Sequence, residues 1–233
     1  MPSRTVVALR RHQHAVLLGL LLVALALSTV NVRGAHGLHT DVFRTVLGLA
    51  TWFTVFNRPR ERAAMGAVLA VSVALGWGRY FVPAGVDHAV ALANQSAQAV
   101  FLWGAVCVIL RDLFRQPPNG AESVLGAICG YLIASDAWAR INAIAYLLVP
   151  SSYSIAPEVA ALLHDWHGRE ALFTYYAYAQ VLTIGYSDVT PIRAPATTLS
   201  LFAALFGVFY TAVVVSQFVG LAQRGKRESP DGE

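Results

Sequence analysis

From Ala171 to Pro191 the chain reads ALFTYYAYAQVL, then TIGYSD, then VTP. The first part, Ala171 to Leu182, is apolar and aromatic and predicts a helix of about 18 Å. That crosses little more than half of a hydrocarbon core about 30 Å thick. The polar return Thr183 to Asp188 follows at once, and a long apolar run begins near Ala194. A half-length helix, a short return and a full-length span make a re-entrant loop. Non-helical backbone at membrane depth persists only where it is buried in protein or lines water. The stretch therefore predicts a pore.

The rest of the chain fits that setting. Of 233 residues, 56% are hydrophobic and only 13% are charged, against about 25% charged in a soluble domain. Mean hydropathy is +0.54. This excludes a soluble enzyme or binding domain, and it excludes disorder, which needs low hydrophobicity and high charge. The net charge of +4 is spread between apolar runs rather than gathered in one basic patch, so no nucleic-acid partner is implied. Cys107 and Cys129 both fall inside apolar runs and read as small buried hydrophobes.

The expected fold is an all-α polytopic membrane protein of about six transmembrane helices. They run from about Ala15 to Val30, Val42 to Phe56, Ala63 to Val82, Ala89 to Leu110, Ser123 to Val149 and Ala194 to Leu221, by length and apolar character. The re-entrant helix and its return precede the last. Basic residues follow a strong alternation: Arg4, Arg10, Arg11, Arg58, Arg60, Arg62, Arg111, Arg115, Arg224, Lys226 and Arg227 fall on one side, and only Arg33, Arg79, Arg169 and Arg193 on the other. The positive-inside rule then places both termini in the cytoplasm and residues 150–191 outside, with the inner membrane as the location. Residues 1–30 also have the shape of a signal peptide. A retained helix is favoured because no clear A-x-A site follows.

At residues 183–191 the sequence resembles the potassium channel family, whose T-V-G-Y-G-D selectivity filter TIGYSD matches in most positions. The resemblance covers about Ser123 to Leu221. It implies a pore domain at 123–222, made of outer helix, pore helix, filter and inner helix, with a short cytoplasmic tail at 223–233 and no room there for a regulatory domain. Such filters replace an ion's hydration shell with rings of backbone carbonyls. The resemblance therefore implies that K+ is held by carbonyls of Thr183, Ile184, Gly185 and Tyr186, with the Thr183 hydroxyl as innermost ring, and that Ser187 closes the outer end. Carbonyls that all point one way require the backbone to alternate hand, and Gly185 supplies one position of positive φ cheaply. The family pattern also implies that Tyr186 is braced by Tyr175, Tyr176 and Tyr178, and that Asp188 accepts a hydrogen bond from Tyr175. Gly207 falls where relatives carry a hinge glycine; close helix packing is the alternative. One copy of the motif supplies one quarter of a ring, which implies a homotetramer. K+ would be the permeant ion, lipid the surroundings, and no cofactor is required.

Two positions depart from the family. Ser187 stands where a second glycine is usual, and serine at positive φ costs about 1–2 kcal/mol. Leu182 stands where relatives often have threonine. A non-selective monovalent cation channel is therefore one alternative. An intramembrane serine hydrolase using Ser187 is a remote second, because no histidine follows His167 to serve as base. A non-conducting scaffold with a degenerate loop is a third.

Residues 1–122 make a four-helix region without a voltage sensor, since Ala89 to Leu110 contains no arginine, whereas a sensor needs several. Arg44 and Arg79 look isolated. Asp136 and Arg140, four apart, share a helix face and read as a structural pair near the outer surface. His164 and His167 have a spacing that can bind metal, but no further ligand converges on them. They read as solvated outer-loop residues able to tune conduction with pH.

Overall fold

In the computed structural model the chain is described over residues 13–31, 37–81, 87–115, 121–164, 166–185 and 188–227. The described elements are α1 (Gln13–Asn31), α2 (Gly37–Val55), α3 (Pro59–Gly78), α4 (Asp87–Arg115), α5 (Ala121–Leu148), β1 (Tyr153–Ile155), α6 (Trp166–Val181), β2 (Val189–Pro191) and α7 (Ala194–Arg227). Short 3-10 turns stand at Arg79–Phe81, Pro150–Ser152 and Ala160–His164. The chain is an all-α multi-pass membrane protein. Four described helical segments are long and apolar enough to cross a bilayer: Pro59–Phe81, His88–Phe114, Ser123–Leu148 and Ala194–Ser216. In α1 the described apolar stretch is His14–Ala26, and α2 interrupts its apolar run with Asp41 and Arg44.

Local chemistry sets the boundaries. Pro59 opens α3 at its first turn, where its missing N–H costs nothing. Pro150 follows the end of α5, because the residue before a proline is driven out of the helical region.

Helix α5 is the centre of the bundle. It presents small buried residues, Ala127, Cys129, Ala134, Ala137, Ala139 and Ala143, which let neighbouring backbones approach closely in a membrane. On α4, Val100 and Phe114 are exposed together with Cys107. Spaced seven apart, the three lie on one helix face. Cys107 is thus a surface residue rather than the buried one its apolar run suggested. Cys129 is buried, and its thiol approaches the His14 carbonyl at 3.4 Å.

A two-stranded antiparallel ribbon between β1 and β2 was not expected from the residues. It pairs Tyr153 with Pro191, Ser154 with Thr190 and Ile155 with Val189. Ala156 N–H donates to the Asp188 carbonyl at 2.8 Å, and Ile192 N–H to Ser152 at 2.9 Å. The ribbon joins the segment after α5 to the segment before α7. Beneath it the buried Tyr153 hydroxyl donates to Asn142 Oδ1 at 2.9 Å, while Asn142 Nδ2 donates to the Trp138 carbonyl at 2.8 Å. Burial pushes the Tyr153 phenol up, with Tyr176 nearby adding to the shift, so it stays a neutral donor. Replacing Tyr153 by Phe strips a buried acceptor of its donor. We expect it to lower stability by about 1–2 kcal/mol, measured by thermal unfolding in detergent.

Candidate functional site

Helix α6 is the buried centre of the site. It begins at Trp166, five residues before the apolar run, and at about 1.5 Å per residue spans about 24 Å. That is still short of the hydrocarbon core. From Gly168 to Val181 only Arg169, Tyr175 and Gln180 are not buried. A helix enclosed on nearly all sides belongs to a protein interior rather than a surface.

The C-terminal end is held by its neighbours. Tyr131 Oη of α5 donates to the Val181 carbonyl at 2.9 Å. Tyr178 Oη donates to the Leu132 carbonyl at 3.1 Å, and the Tyr176 hydroxyl pairs with Ser200 of α7. These two tyrosines tie α6 to its flanking helices. Helix α7 buries Ala196, Ser200, Ala203, Gly207 and Tyr210 on one face. At Gly207 its backbone runs so close to α6 that an added Cβ would overlap the Val181 carbonyl oxygen. The close-packing reading of Gly207 therefore has a direct physical basis.

Beyond Val181 the helix closes with a Schellman-type turn. Thr183 N–H donates to Gln180 at 3.0 Å, and Ile184 N–H to Ala179 at 2.9 Å, the paired bonds of that motif. Thr183 takes φ +56° and Gly185 φ +79°. The hand of the backbone thus reverses at alternate residues. Nothing lies within 4 Å of a Cβ built on Gly185, so conformation rather than crowding favours glycine there. Leu182, Thr183, Ile184 and Gly185 are exposed on the single chain. Tyr186 and Ser187 lie outside the described residues, and with them the bracing expected of Tyr186. Asp188 is exposed, and Tyr175 is half-buried on α6.

The N-terminal end carries a group that reading the sequence overlooked. Glu170 is 1% exposed. It pairs with Arg44 of α2 and with Arg140 of α5 at 2.9 Å, and it accepts from Gln95 Nε2 of α4 at 2.9 Å. Arg140 also reaches Asp136 at 3.4 Å, so the expected pair exists but belongs to a larger network. Arg44 is therefore not isolated. Nor is Arg79, which pairs with Asp41 and lies 2.7 Å from His167. His167 is likewise not a solvated loop residue. It stands in the first turn of α6 with a side chain 14% exposed, whereas His164 is exposed. Asp41, Arg44, Asp136, Arg140, His167 and Glu170 line a cavity of about 130 Å³ together with Ser72, Asn94 and Thr174. The available signal was the presence of charges inside apolar helices, which are expensive unless paired.

Residues 159–224 match the family model described as Ion channel. This segment is similar to ion-channel domains. The match takes in α6, its exit and α7 up to Arg224. No curated protein and no solved structure matches the chain.

Two substitutions test this geometry. Gly207→Ala forces a methyl group into the Val181 carbonyl, and we expect a loss of about 1–3 kcal/mol with a lowered melting temperature in detergent. Glu170→Leu leaves two arginines facing an apolar side chain, and we expect a larger loss, about 3–5 kcal/mol, by the same measurement.

Proposed function

We propose that the chain is a potassium-selective channel in which four copies surround one axis and K+ passes the carbonyls of Thr183, Ile184, Gly185 and Tyr186. The observation that carries this reading is the exit from α6. A buried helix too short to span releases an exposed backbone whose hand reverses at Thr183 and again at Gly185. Alternating hand is what aligned carbonyl rings require. The TIGYSD motif and the ion-channel match support the same reading.

The apolar surface of α7 supports assembly. Leu201, Phe202, Leu205, Val208 and Phe209 are exposed on the single chain, beside the exit residues. On this reading residues 1–122 are a four-helix region, 123–222 the pore domain and 223–233 a short cytoplasmic tail. The chain lies in the inner membrane with both termini inside. Asp188 and the tyrosines Tyr175 and Tyr176 support the filter, and Gly207 serves packing and bending of α7 together. A second reading, a non-selective monovalent cation channel, is favoured by one feature, Ser187 in place of the usual glycine.

The test is flux from vesicles reconstituted with wild type, Gly185→Ala and Ser187→Gly. We expect wild-type K+ flux blocked by barium, lost in Gly185→Ala, and kept or raised in Ser187→Gly. Equal flux in all three removes residues 183–187 from the conduction path. Equal Na+ and K+ flux in wild type favours the second reading.

A further inference from the structure

The start of α6 is gripped by a group of side chains that conduction does not use. Arg79 Nη2 lies 2.7 Å from His167 Nε2. A guanidinium has only donors, so Nε2 is the acceptor and carries no proton. The same Arg79 pairs with Asp41 of α2 and stacks over the Trp166 ring, 4.7 Å from its centroid. Tyr80 Oη donates to the same Asp41 oxygen at 2.6 Å. That oxygen stands 3.8 Å from His167 Nε2. The side chains of Arg79, Asp41 and His167 are 10%, 9% and 14% exposed.

Charged and titratable groups reach this cluster from several elements, and the neighbouring turn Ala160–His164 carries His164, which is exposed. Helix α2 brings Asp41 and Arg44, the turn after α3 brings Arg79 and Tyr80, α5 brings Asp136 and Arg140, and α6 brings Glu170. Arg169 lies over Trp166 at 5.7 Å. Helix α1 lines the cavity with Leu21, Ala24 and Leu25, and α4 brings the uncharged Asn94 and Gln98. Arg44, Arg79 and Arg140 of the paired cluster thus balance Asp41, Asp136 and Glu170 while His167 is neutral, and Arg169, on the Trp166 ring, adds a further positive charge.

We propose that His167 is a proton-binding site that sets how the N-terminal helices hold the start of α6. A proton on Nε2 turns the Arg79 contact into two donors and two like charges face to face. It also adds one positive charge to a balanced cluster. An acceptor for the new N–H is the Asp41 oxygen that Arg79 already uses. The protonated imidazole takes it, and Arg79 leaves both His167 and the Trp166 ring. The clasped state belongs to high pH and is lost as pH falls through the histidine range, ordinarily near 6.5. Its effect on conduction rests on the pore reading above; proton binding itself does not.

The test uses reconstituted full-length protein with two signals between about pH 8 and about pH 5. Trp166 emission, taken as wild type minus Trp166→Phe, reports the departure of Arg79, and K+ flux reports the pore. We expect both to titrate together in wild type, with flux falling about fivefold or more, the low end of ordinary coupling between sites. His167→Gln keeps an acceptor for Arg79 but cannot titrate, and both pH responses should vanish. In His164→Gln they should persist. Should His167→Gln fail to fold, the His167 imidazole titration read by NMR in wild type and in Arg79→Gln serves instead: removal of the like charge should move its midpoint to higher pH. A silent Trp166 signal in wild type, a titration that survives in His167→Gln, or an unmoved midpoint in Arg79→Gln overturns the proposal. Titrating emission in protein that passes no ions at any pH upholds the proton site and defeats the pore reading.

Discussion

A carboxylate shut inside a membrane protein must have its charge answered at once, and Glu170 is the point where this chain meets that demand. Removing an ion from water costs several kcal/mol even after relaxation, so Glu170 exists as an anion only because Arg44, Arg140 and Gln95 converge on it. These partners come from α2, α5 and α4. Apolar contact cannot set the register of helices in lipid, because lipid tails satisfy an apolar face equally well. A directional polar hub can. The N-terminal helices are therefore bonded to the head of α6 rather than merely adjacent to it.

The other end of α6 is fixed by different physics. There the determinant is closeness: Gly207 leaves room for the Val181 carbonyl, and Tyr131 donates to the same oxygen. Charge anchors the entrance of the helix and steric fit anchors its exit. The residues from 182 to 185 hang from that fixed end, with their unusual backbone angles set by the Schellman-type closure. Threonine at the left-handed position of that closure costs about 1–2 kcal/mol relative to glycine, which only a well-held helix end can absorb.

Much of this was legible from the residues. The apolar run 171–182, its polar return and the long run after Ala194 announced a re-entrant helix, and Gly185 marked a reversal of backbone hand. The Asp136 and Arg140 pair followed from their spacing. What stayed hidden depended on partners distant in the chain. Helix α6 starts earlier than its apolar run because Trp166 to Glu170 are polar residues sheltered by Arg44, Arg79 and Arg140, which no local window contains. Arg44 and Arg79 looked solitary for the same reason. Cys107 was misjudged because an apolar run does not say which helix face meets lipid. The strands 153–155 and 189–191 are too short for their alternation to register, and each is a strand only through the other.

That ribbon also confers a tolerance. By clasping residue 155 to residue 189 it makes the chain from Ala156 to Leu163 a tethered arc, anchored where Val159 and Leu163 pack on the cluster of Tyr153, Phe173 and Tyr176. Extending a tethered arc is inexpensive, about 0.6 kcal/mol for each doubling of its length. The arc is where added residues disturb this fold least.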